Sequence, residues 1–149
     1  MKNLFSLFIL LIFISCNFYK DYKVFNSEYD YSINLPKSWA EYETDEKNTN
    51  AFFDRTKWSG NLRISPINIK INNLRDVMIQ RKVENIDWGN IRGIYYIENI
   101  KNEEIHYWYL KVNNKLYICS FTIGNIKGRK EIKNELAKVE TILKSIKSN

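Results

Sequence analysis

The sequence predicts an α+β domain: an antiparallel β-sheet flanked by helices, with a long C-terminal amphipathic helix packed on the sheet. Three observations carry this. Gly93 to Ile100, Ile105 to Val112 and Lys115 to Ile123 follow one another as strand patterns with only short turns between them. Both faces of that meander carry apolar side chains, so both faces need cover. The last segment then supplies a cover. From Arg129 to Lys147, Ile132, Leu136, Val139, Ile142, Leu143 and Ile146 fall at steps of 4, 3, 3, 1 and 3, a single stripe on a helix.

In chain order, residues 1–15 read as a secretory signal. Lys2 gives a basic start, and Leu4 to Ile14 is an apolar run interrupted only by Ser6. Its eleven residues fit a signal core and fall short of the ~18 to 20 that a spanning helix needs. The segment Phe13-Ile14-Ser15-Cys16 resembles the lipobox of bacterial lipoproteins, although Phe13 stands where Leu is commoner. That resemblance implies cleavage before Cys16, lipidation of its thiol and a place in the bacterial cell envelope, periplasmic or surface-facing. Residues 16–27 are expected to be the lipidated cysteine and a short linker. About ten residues of coil reach only about 15 to 20 Å, so the domain over residues 28–149 sits close to its membrane.

Within that domain, Tyr29, Tyr31, Ile33 and Leu35 alternate with polar residues as a half-buried strand ending at Pro36. Ala51 to Arg55 and Leu62 to Ile71 read as two more strands, the second with a change of phase at Pro66 that suggests a bulge. Asn72 or Asn73 caps a short helix bearing Leu74, Val77, Met78 and Val83, expected on one face of the sheet. Asn113-Asn114 suits a tight hairpin, because asparagine tolerates positive φ. That turn sets Val112 opposite Lys115, Leu110 opposite Tyr117, Trp108 opposite Cys119 and His106 opposite Phe121. The C-terminal helix, about 28 Å long at 1.5 Å per residue, lies across several strands.

The stretch Tyr29-Asp-Tyr-Ser-Ile-Asn-Leu-Pro-Lys-Ser-Trp39, a strand running into Pro and Trp, resembles the opening of PsbP-like domains. The strand Leu116 to Ile123 and the helix carrying Val139 to Ile146 resemble the same family's ending. The likeness runs from Val24 to Lys147. It implies a non-enzymatic accessory or binding protein and transfers no site residue, because a shared fold does not carry function.

Composition narrows the chemistry. Removing residues 1–15 takes away Lys2, one of 23 basic residues, and none of the 17 acidic ones, which leaves a formal net charge of about +5. Nucleic acid is a poor partner for an exported protein, whereas anionic lipid or an acidic partner suits this charge. With Cys16 acylated, Cys119 is the remaining thiol, at strand spacing among apolar residues and expected to be inert. His106 is the only histidine, so a His-rich metal site or a catalytic triad with a spare base cannot be built. It reads as a packing residue. Glu98, Glu103 and Glu104 read as solvated turn carboxylates, and no phosphate loop, paired-cysteine knuckle or nucleophile elbow occurs. No catalytic residue, cofactor or metal is expected.

Aromatic content is the remaining signal: four tryptophans and ten tyrosines. Trp39 and Trp108 sit at strand spacing. Trp58 and Trp88 stand beside Ser59-Gly60 and Gly89, outside the clear strands, and are the candidate partner-binding residues. The expected function is a membrane-anchored, non-catalytic binding or accessory lipoprotein acting through a protein partner. An immunity or chaperone-like protein binding a cognate toxin or effector is the alternative.

Overall fold

The structure, a computed structural model, describes residues 21–67 and 81–149. The signal segment, Cys16 and the beginning of the linker lie outside the described residues, as do residues 68–80. In chain order the elements are β1 (Tyr22–Ser27), β2 (Tyr31–Pro36), β3 (Trp39–Tyr42), β4 (Asn50–Asp54), β5 (Gly60–Ile67), β6 (Glu84–Asp87), β7 (Ile91–Ile100), β8 (Glu103–Val112), β9 (Lys115–Ile123), α1 (Arg129–Lys144) and β10 (Lys147–Ser148). Seven strands form one antiparallel sheet in the order β3-β4-β5-β9-β8-β7-β6, and β1-β2-β10 form a second.

The β8–β9 hairpin has the register its turn dictates. Val112 pairs Lys115, Trp108 pairs Cys119 and His106 pairs Phe121, with Asn113 at φ +54°. Because side chains alternate across a strand, this register sends Trp108, Leu110, Tyr117, Cys119 and Phe121 to one face, where all are buried. Leu62 and Ile64 of β5 extend that face. Against it pack Val139, Ile142 and Leu143 from α1, Ile146 two residues beyond its end, and Tyr31, Ile33 and Leu35 from β2. Each fully buried aliphatic or aromatic side chain contributes about 1.5 to 3 kcal/mol.

The cover of that inner face therefore differs from the expectation. A helix on each face was predicted, yet α1 shares the inner face with the small three-stranded sheet. The other expected helix, at Leu74 to Val83, lies mostly outside the described residues; Arg81 to Val83 are not helical. Residues 22–27, assigned to the linker from the sequence, form β1 and pair with β2 along its whole length. The reason is Phe25, which packs on the core and meets Phe52 edge to face at 4.9 Å. The small sheet is tied to the large one by buried Asn50. Its Oδ1 accepts hydrogen bonds from Ser27 Oγ at 2.5 Å and Tyr31 Oη at 2.6 Å, and its Nδ2 donates to Glu41 at 2.6 Å.

The bulge expected at Pro66 is absent. β5 runs in continuous register past it, Ser65 on Ile118, Pro66 on Tyr117 and Ile67 on Leu116. Ile67 stands on the opposite face from Leu62 and Ile64 without a break in the ladder. Pairing with β4 stops at Ile64, so a proline beyond it removes no bond on that side. Helix α1 ends at Lys144, three residues early. Ser145 Oγ donates to Ile142 O at 2.6 Å and accepts from Asn34 N–H at 2.8 Å, which closes the last turn and turns the chain into β10.

Candidate functional site

The loop between β4 and β5 begins with a local constraint. Asp54 Oδ1 accepts the Thr56 amide at 3.0 Å and its hydroxyl at 2.7 Å, which bends the chain out of β4. The loop is then braced from α1 and from the segment after β9. Ser59 Oγ donates to buried Glu135 at 2.7 Å, and Lys57 pairs with Glu131 at 3.2 Å. Gly124 N–H donates to Ser59 O at 2.8 Å, and Asn125 N–H to Trp58 O at 3.1 Å. A Cβ on Gly124 would stand 2.8 Å from Gly60 N and 2.9 Å from Trp58 Nε1, so glycine is needed for this approach.

The braced loop presents Trp58 with 48% of its surface exposed. Its ring lies 6.1 Å from Phe53, and Phe53 lies 5.8 Å from Tyr42, giving a short aromatic row at the β3–β4 edge. A large apolar side chain held out on a rigid support has the geometry of a binding anchor, because little conformational freedom is left to lose on contact.

Trp88 is placed differently. It precedes β7 in the hairpin from β6, at the opposite edge of the large sheet, and packs partly buried against the core. Lys144 Nζ sits 4.8 Å over its ring. The structure does not bring Trp58 and Trp88 together, and Trp88 packs partly on the core while Trp58 is exposed. Its position beside Gly89 was a turn signal, with φ +80° and an Asp87 bond to Gly89 N–H at 3.0 Å.

His106 is 2% exposed and has two hydrogen-bond partners. Tyr95 Oη lies 2.5 Å from Nδ1, and Nε2 lies 2.9 Å from Glu104 Oε1. The neutral tautomer that satisfies both accepts at Nδ1 and donates from Nε2. Neither nitrogen is left to serve as a base. Burial pushes the Tyr95 phenol up to about 12, helped by Glu84, Glu104 and Glu140, so its hydroxyl is a poor nucleophile. Cys119 is fully buried, and burial alone raises its thiol far above the usual range. Among the described residues no cluster of three His, Cys, Asp or Glu side chains is placed to hold a metal ion. No described helix is long and apolar enough to cross a membrane.

Burial also holds the His106 imidazole below its ordinary value, with the Glu104 hydrogen bond and charge opposing. As pH falls through about 6.5, the unfolded chain therefore takes up this proton before the folded one does. Stability contributed by His106 is present above that pH and is lost below it. We expect thermal melting to fall from pH 7.5 to pH 5.5, and the slope to be shallower in His106→Gln. An unchanged slope in the variant would assign the effect to other groups.

The described residues thus define an antiparallel two-sheet α+β domain sealed by one C-terminal helix. The chain belongs to the family described as Domain of unknown function (DUF3805), which it matches over residues 20–148. Among solved structures it is similar to a protein from Bacteroides thetaiotaomicron VPI-5482, with a TM-score of 0.64 and 22% identity. That match covers 87% of this chain and 49% of the other, so this chain spans about half the length of that protein. It also matches cyanobacterial PsbP (CyanoP) from Synechocystis sp. PCC 6803, with a TM-score of 0.43, 9% identity and coverage of 87% and 93% of the two chains. No curated protein matches.

Proposed function

We propose that this chain is a lipid-anchored, non-catalytic binding lipoprotein of the bacterial envelope that engages a protein partner through Trp58. The observation that carries the reading is the exposed indole on a loop braced from α1 and the segment after β9. Support for the anchor comes from the apolar run Leu4 to Ile14 and the sequence Ser15-Cys16. The strand-to-Pro-Trp opening at Tyr31 to Trp39 and the closing strand and helix support a PsbP-like reading of the architecture.

Two measurements test it. Cys16→Ser should abolish labelling by a radiolabelled fatty acid, and unchanged labelling would refute the anchor. Trp58→Ala should fold with a stability change of about 1 kcal/mol or less and lose the partner that wild type captures from its envelope. Truncation of a tryptophan anchor commonly costs about 2 kcal/mol or more, roughly a thirtyfold loss of affinity. Undiminished capture by Trp58→Ala would refute the proposed surface.

A further inference from the structure

A second surface lies where the described chain begins. Two hollows of about 320 Å³ and 460 Å³ share Tyr22 in their walls, and both are bounded on one side by α1. The residues that line them from α1 and its C-cap are Lys138, Thr141 and Lys144, each three apart, and Ser145, four beyond Thr141, so they occupy one side of the helix. Together the hollows make a groove between α1 and the start of β1.

Its two ends differ in chemistry. The end beside β1 is mainly apolar and includes Val24, 65% exposed, the most exposed large hydrophobic residue described. The other end includes Trp39, which is fully buried and whose Nε1–H has no acceptor in the protein. Four lysines stand along the groove. Lys138 and Lys144 are paired with Glu135 at 3.0 Å and Glu140 at 3.3 Å, while Lys23 and Lys37 have no side-chain partner among the described residues. Two carboxylates face them: Asp21, and Asp54, whose Oδ1 is already bonded by Thr56.

An apolar stretch flanked by Lys23 and Lys37, the two lysines here without a side-chain partner among the described residues, suits one class of ligand, an anionic amphiphile. Position selects its source. Six residue steps separate Cys16 from Tyr22, so the groove mouth lies no more than about 20 Å along the chain from the expected acyl anchor. Lys37 N–H bonds Asp21 O at 2.9 Å and fixes the chain entry beside the groove. We infer that the groove between α1 and the start of β1 binds an anionic phospholipid of the membrane that holds the anchor, so that this face of the domain rests on the bilayer. The inference deepens the lipid-anchored reading and rests on it.

The test uses the acylated protein in nanodiscs of phosphatidylglycerol and phosphatidylcholine, with Val24→Cys carrying an environment-sensitive fluorophore and Glu103→Cys as the distant control. Far-ultraviolet circular dichroism checks that both variants fold. Brominated phosphatidylglycerol should quench the probe at position 24 and leave that at position 103 bright. Lys23→Gln and Lys37→Gln should each weaken this quenching titration about fivefold, as expected for one cation near an anionic surface. Discs of phosphatidylcholine alone should quench position 24 weakly. Protein retained on the discs with an unquenched position 24 would refute the groove while leaving the anchor intact. Protein that leaves the disc fraction would refute the anchor, and with it the bilayer as the source of the ligand. Displacement of the lipid by millimolar glycerol phosphate would show a site for soluble phosphate esters and overturn the bilayer assignment.

Discussion

Ile142→Asp is expected to leave no folded domain at 25 °C. Ile142 is fully buried on the face of α1 that meets the inner face of the large sheet. Substitution removes an aliphatic side chain from the core, which costs about 2 to 5 kcal/mol in such positions. It also introduces a carboxylate into a core otherwise built from hydrophobic residues, at several kcal/mol more unless it stays protonated. A domain of this size has about 5 to 15 kcal/mol of total stability, so the two losses together exhaust most or all of it. Leu136→Asp should be milder, because Leu136 is only partly buried at the edge of the same stripe. Circular dichroism melting of both variants measures this. A wild-type transition in Ile142→Asp would mean that α1 is not seated on the sheet.

The second large effect belongs to Trp108→Ala, at about 3 to 5 kcal/mol. The indole is 1% exposed and packs beside Tyr95, 5.2 Å away, and His106, 6.1 Å away. Truncation would open a cavity that neighbours on three strands cannot fill without leaving their register. It would also loosen the wall behind the Tyr95–His106–Glu104 chain, so the pH dependence of melting should weaken together with stability. Trp88→Ala should fall between Trp108→Ala and Trp58→Ala, since Trp88 packs on the core from its rim. Denaturant unfolding of the three alanine variants ranks them. Equal losses at Trp58 and Trp108 would mean that Trp58 is a core lid, and the partner surface would lose its support.

What the sequence disclosed follows the reach of its signals. The β8–β9 register was readable because one short turn between two long alternating strands leaves a single pairing that keeps the apolar set together. The stripe of α1 was readable for the same reason at a different period. Cys119 was placed correctly because burial of a thiol among strand hydrophobes is a local matter. The short strands were not readable. β3 and β10 have four and two residues, too few to show any period, and β1 has two apolar residues side by side, Val24 and Phe25, one outward and one in. β10 exists because distant β2 pairs with it, whereas β1 and β3 are fixed by pairing with the strand that follows each in the chain. For Trp88, the glycine beside the indole marks a turn and says nothing about where the ring folds, which is partly onto the core. The bracing of the loop by the Ser59–Glu135 bond, 76 positions apart in the chain, had no local trace except the Asp54-to-Thr56 turn.

The small sheet sets the order in which this domain assembles. β7, β8 and β9 are joined by short turns and can zip up from neighbouring residues, whereas β2 acquires its second partner only when Ser32 meets Lys147 and Tyr31 meets Ser148. Lys115 clamps the same junction, reaching the carbonyls of Asp30 at 3.2 Å and Asn149 at 3.1 Å. Contacts between such distant positions carry the largest loop-closure penalty and form late. The meander should therefore be the early nucleus, and the seam joining β2, α1 and β10 the last to close. By the same reasoning it is the first to open. Amide protons along that seam should exchange through sub-global openings, while those of β8 and β9 should wait for complete unfolding.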